Sequence, residues 1–195
     1  MFMASFSFKQ LDIQGVYVAT STYSDDLRGS FVKNFEREAF KEAGIEFDCS
    51  ETFISTSAKN VIRGLHFQTF EPQIKIVGVI EGKVYDVVVD LRKDSPTYKK
   101  WCGLYLSREN RNSLIIPKGC AHGFLSLSDD SIVSYICAGR YDQPTDTGII
   151  FKDPDINIDW PIMDINNAVV SKRDLRLRTF KEFDAVNPFT VDNCK

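Results

Sequence analysis

The sequence predicts an all-β fold, an antiparallel sandwich or barrel best described as a jelly roll with a few short helices. Three observations carry this reading. Strand-like runs recur roughly every ten residues, turn-forming residues separate them, and no strand-helix alternation appears that would build a parallel sheet. A chain of 195 residues with 43% hydrophobic content can fill one sizeable core. With no repeat, low-complexity tract or linker in it, residues 1–195 read as a single domain.

Taken in order, Phe6 to Thr20 mixes apolar and polar residues at short period, with a strand over Val16, Tyr17 and Val18 after a turn at Gly15. Ser21 to Gly29 reads as a loop and Phe31 to Phe35 as a strand extension. Glu36 to Ala43 holds strong helix formers and stops at Gly44. Successive strands follow between Ile74 and Leu127: Ile76 to Ile80, Val84 to Leu91 after the Glu81-Gly82 turn, Trp101 to Ser107, Ser113 to Ile116, and Phe124 to Leu127. In Val84 to Leu91, one face carries Tyr85, Val87, Val89 and Leu91 and the other Val84, Asp86, Val88 and Asp90. This predicts a strand with one face on a core and two aspartates facing solvent or a site. A strand over Ile132 to Ala138 precedes a loop from Gly139 to Gly148. Asp153-Pro154 and Trp160-Pro161 mark turns, and a polar tail follows Ser171.

A net charge of −3 argues against a partner bound by neutralising nucleic-acid phosphates, while leaving room for a local basic pocket that takes a diphosphate. The N-terminus lacks a charged segment followed by a long apolar run, and no stretch is long enough to span a bilayer, so a soluble cytoplasmic protein with no membrane partner is expected. The five cysteines form no C-x-x-C pair, are odd in number, and read as buried reduced thiols.

The stretch from Asn60 to Gln68 holds His66, one of only two histidines, three residues after Arg63. Histidine exchanges a proton near neutral pH and serves as a general base where a neighbour holds its tautomer. A lone histidine in an apolar strand is more often structural, and Arg63 and Lys75 read equally as surface charges. Their closeness to His66 favours an anion site.

Five segments then share a pattern: D-L-R-G-S-F at 26–31, R-G-L-H-F-Q at 63–68, I-P-K-G-C-A-H-G-F at 116–124, D-P-D-I-N-I-D-W-P at 153–161 and V-S-K-R-D at 170–174. In order and spacing, over most of the chain, they resemble the dTDP-4-dehydrorhamnose 3,5-epimerase family. The resemblance implies a cupin-type jelly roll, a homodimer, no metal or other cofactor, and epimerisation of a nucleotide-linked 4-keto-6-deoxy sugar in glycan precursor synthesis. By position it makes His66 the proton-abstracting base, Asp174 its carboxylate partner, and Tyr135 the acid on the opposite face of the sugar. Lys75, with Arg63 nearby, would hold the charge developing on the C4 oxygen. Arg28 matches a phosphate contact, Phe31 a base-stacking position, and Gln68, His122, Tyr141, Asp146 and Arg173 further substrate-pocket positions.

The chain departs from the pattern near the nucleotide. The segment from His66 to Lys75 is one residue shorter than the common family spacing, so the Lys75 assignment rests on a gap placed with the help of Gln73. Lys33 stands where the family usually has a glutamate that reads the base, and Glu51-Thr52-Phe53 replaces a Q-x-N segment. Lysine only donates hydrogen bonds where glutamate accepts them. The expectation is retained chemistry, with the nucleotide open among dTDP, GDP and CDP. Rival readings are an epimerase acting at C3 or C5 alone, a metal-dependent cupin, and a non-catalytic sugar-nucleotide binding module. The metal reading is poorly served, since His66 and His122 lie 56 positions apart and no H-x-H pair exists.

Overall fold

The computed structural model describes residues 6–21 and 23–194, so the first five residues, read above for a leader segment, lie outside the described residues. One sheet runs in the order β1 (Phe6–Gln10), β2 (Tyr17–Ser21), β10 (Asn112–Ile116), β7 (Ile74–Glu81), β12 (Ser131–Ala138) and β5 (Cys49–Ser57). The second runs β13 (Asp146–Gly148), β6 (Val61–Gln68), β11 (Cys120–Ser126), β8 (Lys83–Asp90) and β9 (Trp101–Ser107), with β14 (Val169–Val170) laid parallel on β6. Neighbours within each sheet are mostly far apart in sequence, so the chain crosses repeatedly between sheets, which is the jelly-roll arrangement. Among the described residues no helix is long and apolar enough to cross a membrane.

The predicted strands from Val16 to Ala138 all form, and α1 (Arg37–Glu42) falls inside the predicted helix, ending before Gly44 at φ 76°. Six expectations need correction. The predicted loop after Ser21 is a hairpin of β3 (Tyr23–Asp26) and β4 (Gly29–Val32). Its turn is held by Asp26, whose carboxylate accepts the Arg28 backbone N–H at 2.8 Å, with Gly29 at φ 117°. That strand ends at Val32, short of Phe35.

β8 is buried on both faces. Val84 and Val88 pack between the sheets with Val77, Leu114, Phe124 and Val133, while Val87 and Val89 face outward into a second core. That second core is supplied by the supposed polar tail. Phe180, Phe183 and Phe189 sit among charged residues in sequence, yet all three are buried against Phe67, Phe151 and Trp160. The short helix α2 (Phe180–Asp184) carries two of them and is fixed by a capping box between Thr179 and Glu182. Asp86 and Asp90 are both fully buried. Asp90 is structural, bonded to Arg92, Ser95 and Thr97, whereas Asp86 faces the interior near β11. All five cysteines are free, but Cys49 is exposed and Cys102 only half-buried, because β5 is an edge strand and β9 another.

Candidate active site

The site forms between the sheets at one end of the sandwich, and a β-bulge creates it. In a regular strand Arg63 and His66, three residues apart, would point to opposite faces. Here His66 pairs with His122 and Arg63 with Phe124, so Gly64 and Leu65 together oppose the single Gly123. The extra residue restores a common direction, and Arg63 and His66 both turn inward with His122 and Phe124. Glycine is required at Gly64, where φ is 128° and a Cβ would lie 2.5 Å from the Gly123 backbone.

The bulge also frees the Gly64 N–H from the ladder, and Asp174 accepts it at 3.3 Å. The other carboxylate oxygen of Asp174 lies 2.8 Å from His66 Nε2. Asp174 opens a one-turn 3-10 helix, Asp174–Arg176, whose first backbone N–H donates to the Ser171 hydroxyl at 3.0 Å. Burial alone would raise the Asp174 carboxyl. The hydrogen bond and charge of His66, with the Gly64 N–H, outweigh it and hold the group below its ordinary range. With Asp174 accepting from Nε2, the imidazole lone pair is on Nδ1.

His66 lines a narrow pocket with Gln68, Gln73, Lys75, Cys120 and His122, so the chain brings the predicted base and Lys75 together despite the shortened segment between them. His122 is buried and chelated by both oxygens of Asp86, at 2.9 and 3.0 Å. Burial drives the Asp86 carboxyl upward, opposed by the charge and hydrogen bond of His122. Among the described residues no three His, Cys, Asp or Glu side chains converge as a metal ligand set.

Tyr135, on the inner face of β12, meets the His122 ring edge-on at 6.1 Å between centroids. Burial, reinforced by the Asp86 charge, pushes its phenol well above the ordinary tyrosine range, and the Arg63 charge only partly opposes this. The phenol therefore stays protonated at neutral pH and would be a strong base once ionised.

The wall beside Tyr135 is β5, to which sequence reasoning assigned no strand. Its inward residues each meet a site residue: Glu51 accepts from Gln73 at 2.8 Å, Phe53 stacks on Tyr135 at 4.5 Å, and Ser57 accepts from Arg63 at 3.0 Å. Ser55, between them, has a buried hydroxyl that faces the Tyr135 phenol and opposes its rise in pKa, without reaching full hydrogen-bond geometry to any group. The available signal was the strand-favouring Thr52, Phe53, Ile54 and Thr56, without the polar-apolar alternation of a half-buried strand, because β5 is largely exposed.

At the rim, Tyr141 donates to Asp146 at 3.0 Å and Arg173 pairs with the same carboxylate at 2.9 Å, one residue before Asp174. Gln68, expected to contact substrate, commits its carboxamide to backbone groups of two rim loops. Arg28, Phe31 and Lys33 are not brought to this pocket within the chain. They follow β2, which leaves its sheet at the end where Thr20 pairs with Asn112, whereas Lys75 pairs with Ile116 at the opposite end. Arg28 is paired with Asp26 at 2.5 Å in the open, Phe31 is exposed, and Lys33 bonds Glu36 at 3.0 Å.

The sequence model of the family described as dTDP-4-dehydrorhamnose 3,5-epimerase matches residues 10–182. The dTDP-4-dehydrorhamnose 3,5-epimerase of Methanothermobacter thermautotrophicus is 43% identical over 180 residues, 92% of this chain and 97% of that one. A dTDP-4-dehydrorhamnose 3-epimerase of Streptomyces niveus is 38% identical over 155 residues, 78% of this chain and 75% of the other. The crystal structure of the dTDP-6-deoxy-D-glucose-3,5-epimerase of Legionella pneumophila, in complex with dTDP-4-keto-L-rhamnose, superposes with a TM-score of 0.90 at 33% identity, covering 95% of this chain and 98% of that one. With its fold, the His66–Asp174 pair and a match along almost its whole length in agreement, this chain belongs to the dTDP-4-dehydrorhamnose 3,5-epimerase family.

Proposed function

We propose that this protein inverts C3 and C5 of a dTDP-linked 4-keto-6-deoxyhexose, and that residues 1–195 act as one unit in doing so. The observation that carries the reading is the bulged strand that turns Arg63 and His66 to the same face, with His66 lining the pocket, Arg63 bonded to β5 and Asp174 behind the imidazole. His66 Nδ1 takes the proton from a carbon next to the ketone. The electrons of that C–H bond move to the C4 oxygen, where Lys75 supplies the cationic group that makes an enolate attainable. Tyr135 returns a proton to the opposite face and becomes a phenolate; the His66 imidazolium then releases its proton to water and the phenolate takes one from water, which restores both groups. The sugar is isomerised with no net change in atoms or electrons, and repetition at the second carbon completes the double inversion.

The nucleotide half is assigned to the groove that Tyr141 also lines, where Arg140 and Lys118 suit a diphosphate beside the carboxylates Glu38, Glu46, Asp48 and Glu51. For Arg28 and Phe31 to reach a nucleotide, a second copy must present its hairpin, so the active form is a homodimer. The exposed edge strand β5, with Ile54 in the open on its outer face, is consistent with such a contact. A protein that sediments as a monomer at assay concentration while remaining fully active would remove this part of the proposal.

The reaction is tested by incubating the protein in deuterated water with the dTDP-linked 4-keto-6-deoxyhexose. Deuterium at both C3 and C5 is the expected result. Exchange at one carbon would instead assign a single epimerase, the activity named for the Streptomyces niveus relative, and exchange at neither would leave only a binding module. Parallel titrations with dTDP, GDP and CDP decide whether Lys33 and Glu51 alter base selection, with dTDP expected to bind most tightly.

A further inference from the structure

The side chain of Gln68 bonds two loops at once. It is 4% exposed at the end of β6, where the chain turns into the loop 69–73 and where β6 pairs with the strand that ends the loop 139–145. Its Nε2 donates to the Glu71 carbonyl and to the Arg140 carbonyl, each at 3.1 Å, and its Oε1 accepts the Asp142 N–H at 2.9 Å. The first loop leads to Gln73 and Lys75 on the sugar side of the pocket, and the second carries Tyr141 on the nucleotide side. The Thr69 N–H donates to the Thr145 carbonyl at 3.1 Å, and side-chain bonds run from Gln73 to the Gly139 carbonyl at 3.0 Å, from Thr69 to the Thr145 carbonyl at 3.4 Å and from Thr145 to the Phe70 carbonyl at 3.5 Å. These tie the loop ends, whereas Gln68 reaches the middle of both, at Glu71, Arg140 and Asp142.

We propose that Gln68 is a positioning residue that fastens the two rim loops into one unit, so that nucleotide affinity depends on it without direct contact between its side chain and the nucleotide. This rests on the nucleotide-sugar reading above and assigns the rim a further role within it. A carboxamide suits the task because it offers two donors and an acceptor without charge. A glutamate here would keep the bond from Asp142 but turn a carboxylate oxygen toward two carbonyl oxygens, and a methionine of similar length would make none of the three bonds. The catalytic pair is untouched by either change, because His66 and Asp174 are held by the bulge and the 3-10 turn.

Three measurements on Gln68→Glu and Gln68→Met test this: dTDP affinity by calorimetry, the KM and kcat of epimerisation, and amide hydrogen exchange. Both variants are expected to bind dTDP about tenfold or more weakly, with KM raised to match and kcat within about threefold of the parent. Exchange should quicken in 69–73 and 139–145 together while β8 and β11 keep their protection. If Gln68→Glu loosens the whole sandwich, the uncharged Gln68→Met carries the test. Unchanged dTDP affinity with unchanged rim exchange in Gln68→Met would overturn the proposal, as would a fall in kcat at constant KM. Should the parent protein bind no dTDP at all, the functional reading fails, while the exchange experiment still decides whether Gln68 couples the loops.

Discussion

His66→Ala is expected to reduce deuterium incorporation at both sugar carbons by about 10⁴-fold, close to 5.5 kcal/mol of lost transition-state stabilisation, with dTDP affinity within about twofold of the parent. The size follows from what is left in the pocket. Lys75 would still polarise the ketone, and the other imidazole lining the pocket, His122, is not placed as His66 is. The Nε2 of His122 is bonded to both oxygens of the buried Asp86, its side chain is 7% exposed against 27% for His66, and it lies on the neighbouring strand. The nucleotide would sit along the rim beyond the imidazole, so binding should survive. Deuterium exchange at parental rates in His66→Ala would sink the assignment of the base, and loss of dTDP binding would show that the imidazole holds the ligand as well as the proton.

The legible and illegible parts of this molecule divide along physical lines. Strands bounded by turn residues, such as Trp101 to Ser107, were readable because period and punctuation agree. The single-face reading of Val84 to Leu91 failed because the second face is covered by residues about 90 positions later, and alternation cannot report a partner so distant. The aromatic residues of that partner, Phe180, Phe183 and Phe189, are diluted by charges that remain in solvent. His66 and Asp174 were assigned by motif, yet the reason they meet was not visible. Arg-x-x-His in an unbroken strand would split the two side chains between faces, and only the pairing of β6 with β11 reveals the bulge that unites them. The hairpin residues Arg28, Phe31 and Lys33 illustrate the converse. Their motif was clear, but their position relative to the pocket depends on which end of a sheet the chain leaves.

Asp174→Asn is expected to lower kcat by about 10²- to 10⁴-fold with little change in KM, and the reason is the choice of tautomer rather than lost charge alone. In the parent, one carboxylate oxygen accepts from His66 Nε2 at 2.8 Å and the other accepts the Gly64 N–H at 3.3 Å. An asparagine satisfies both neighbours only if its oxygen takes the Gly64 N–H and its amide nitrogen donates to Nε2. That arrangement moves the imidazole proton to Nδ1, the nitrogen needed as base, and presents a donor to the substrate carbon. The pH profile separates this from simple misfolding. Because the Asp174 pKa is lowered in the folded state, the ionised carboxylate contributes stability above the unfolded aspartate pKa, and this is lost only as pH falls through the lower folded value. Near neutrality the parent therefore keeps its dyad and its fold, and Asp174→Asn should be folded but nearly inactive. At acid pH the parent loses this stabilisation as Asp174 protonates, whereas the asparagine variant has no such group to titrate. The gap in denaturant midpoint between the two should narrow as pH drops through the depressed pKa. A gap that stays constant across that range, or an asparagine variant with parental kcat at neutral pH, would show that Asp174 does not hold the base.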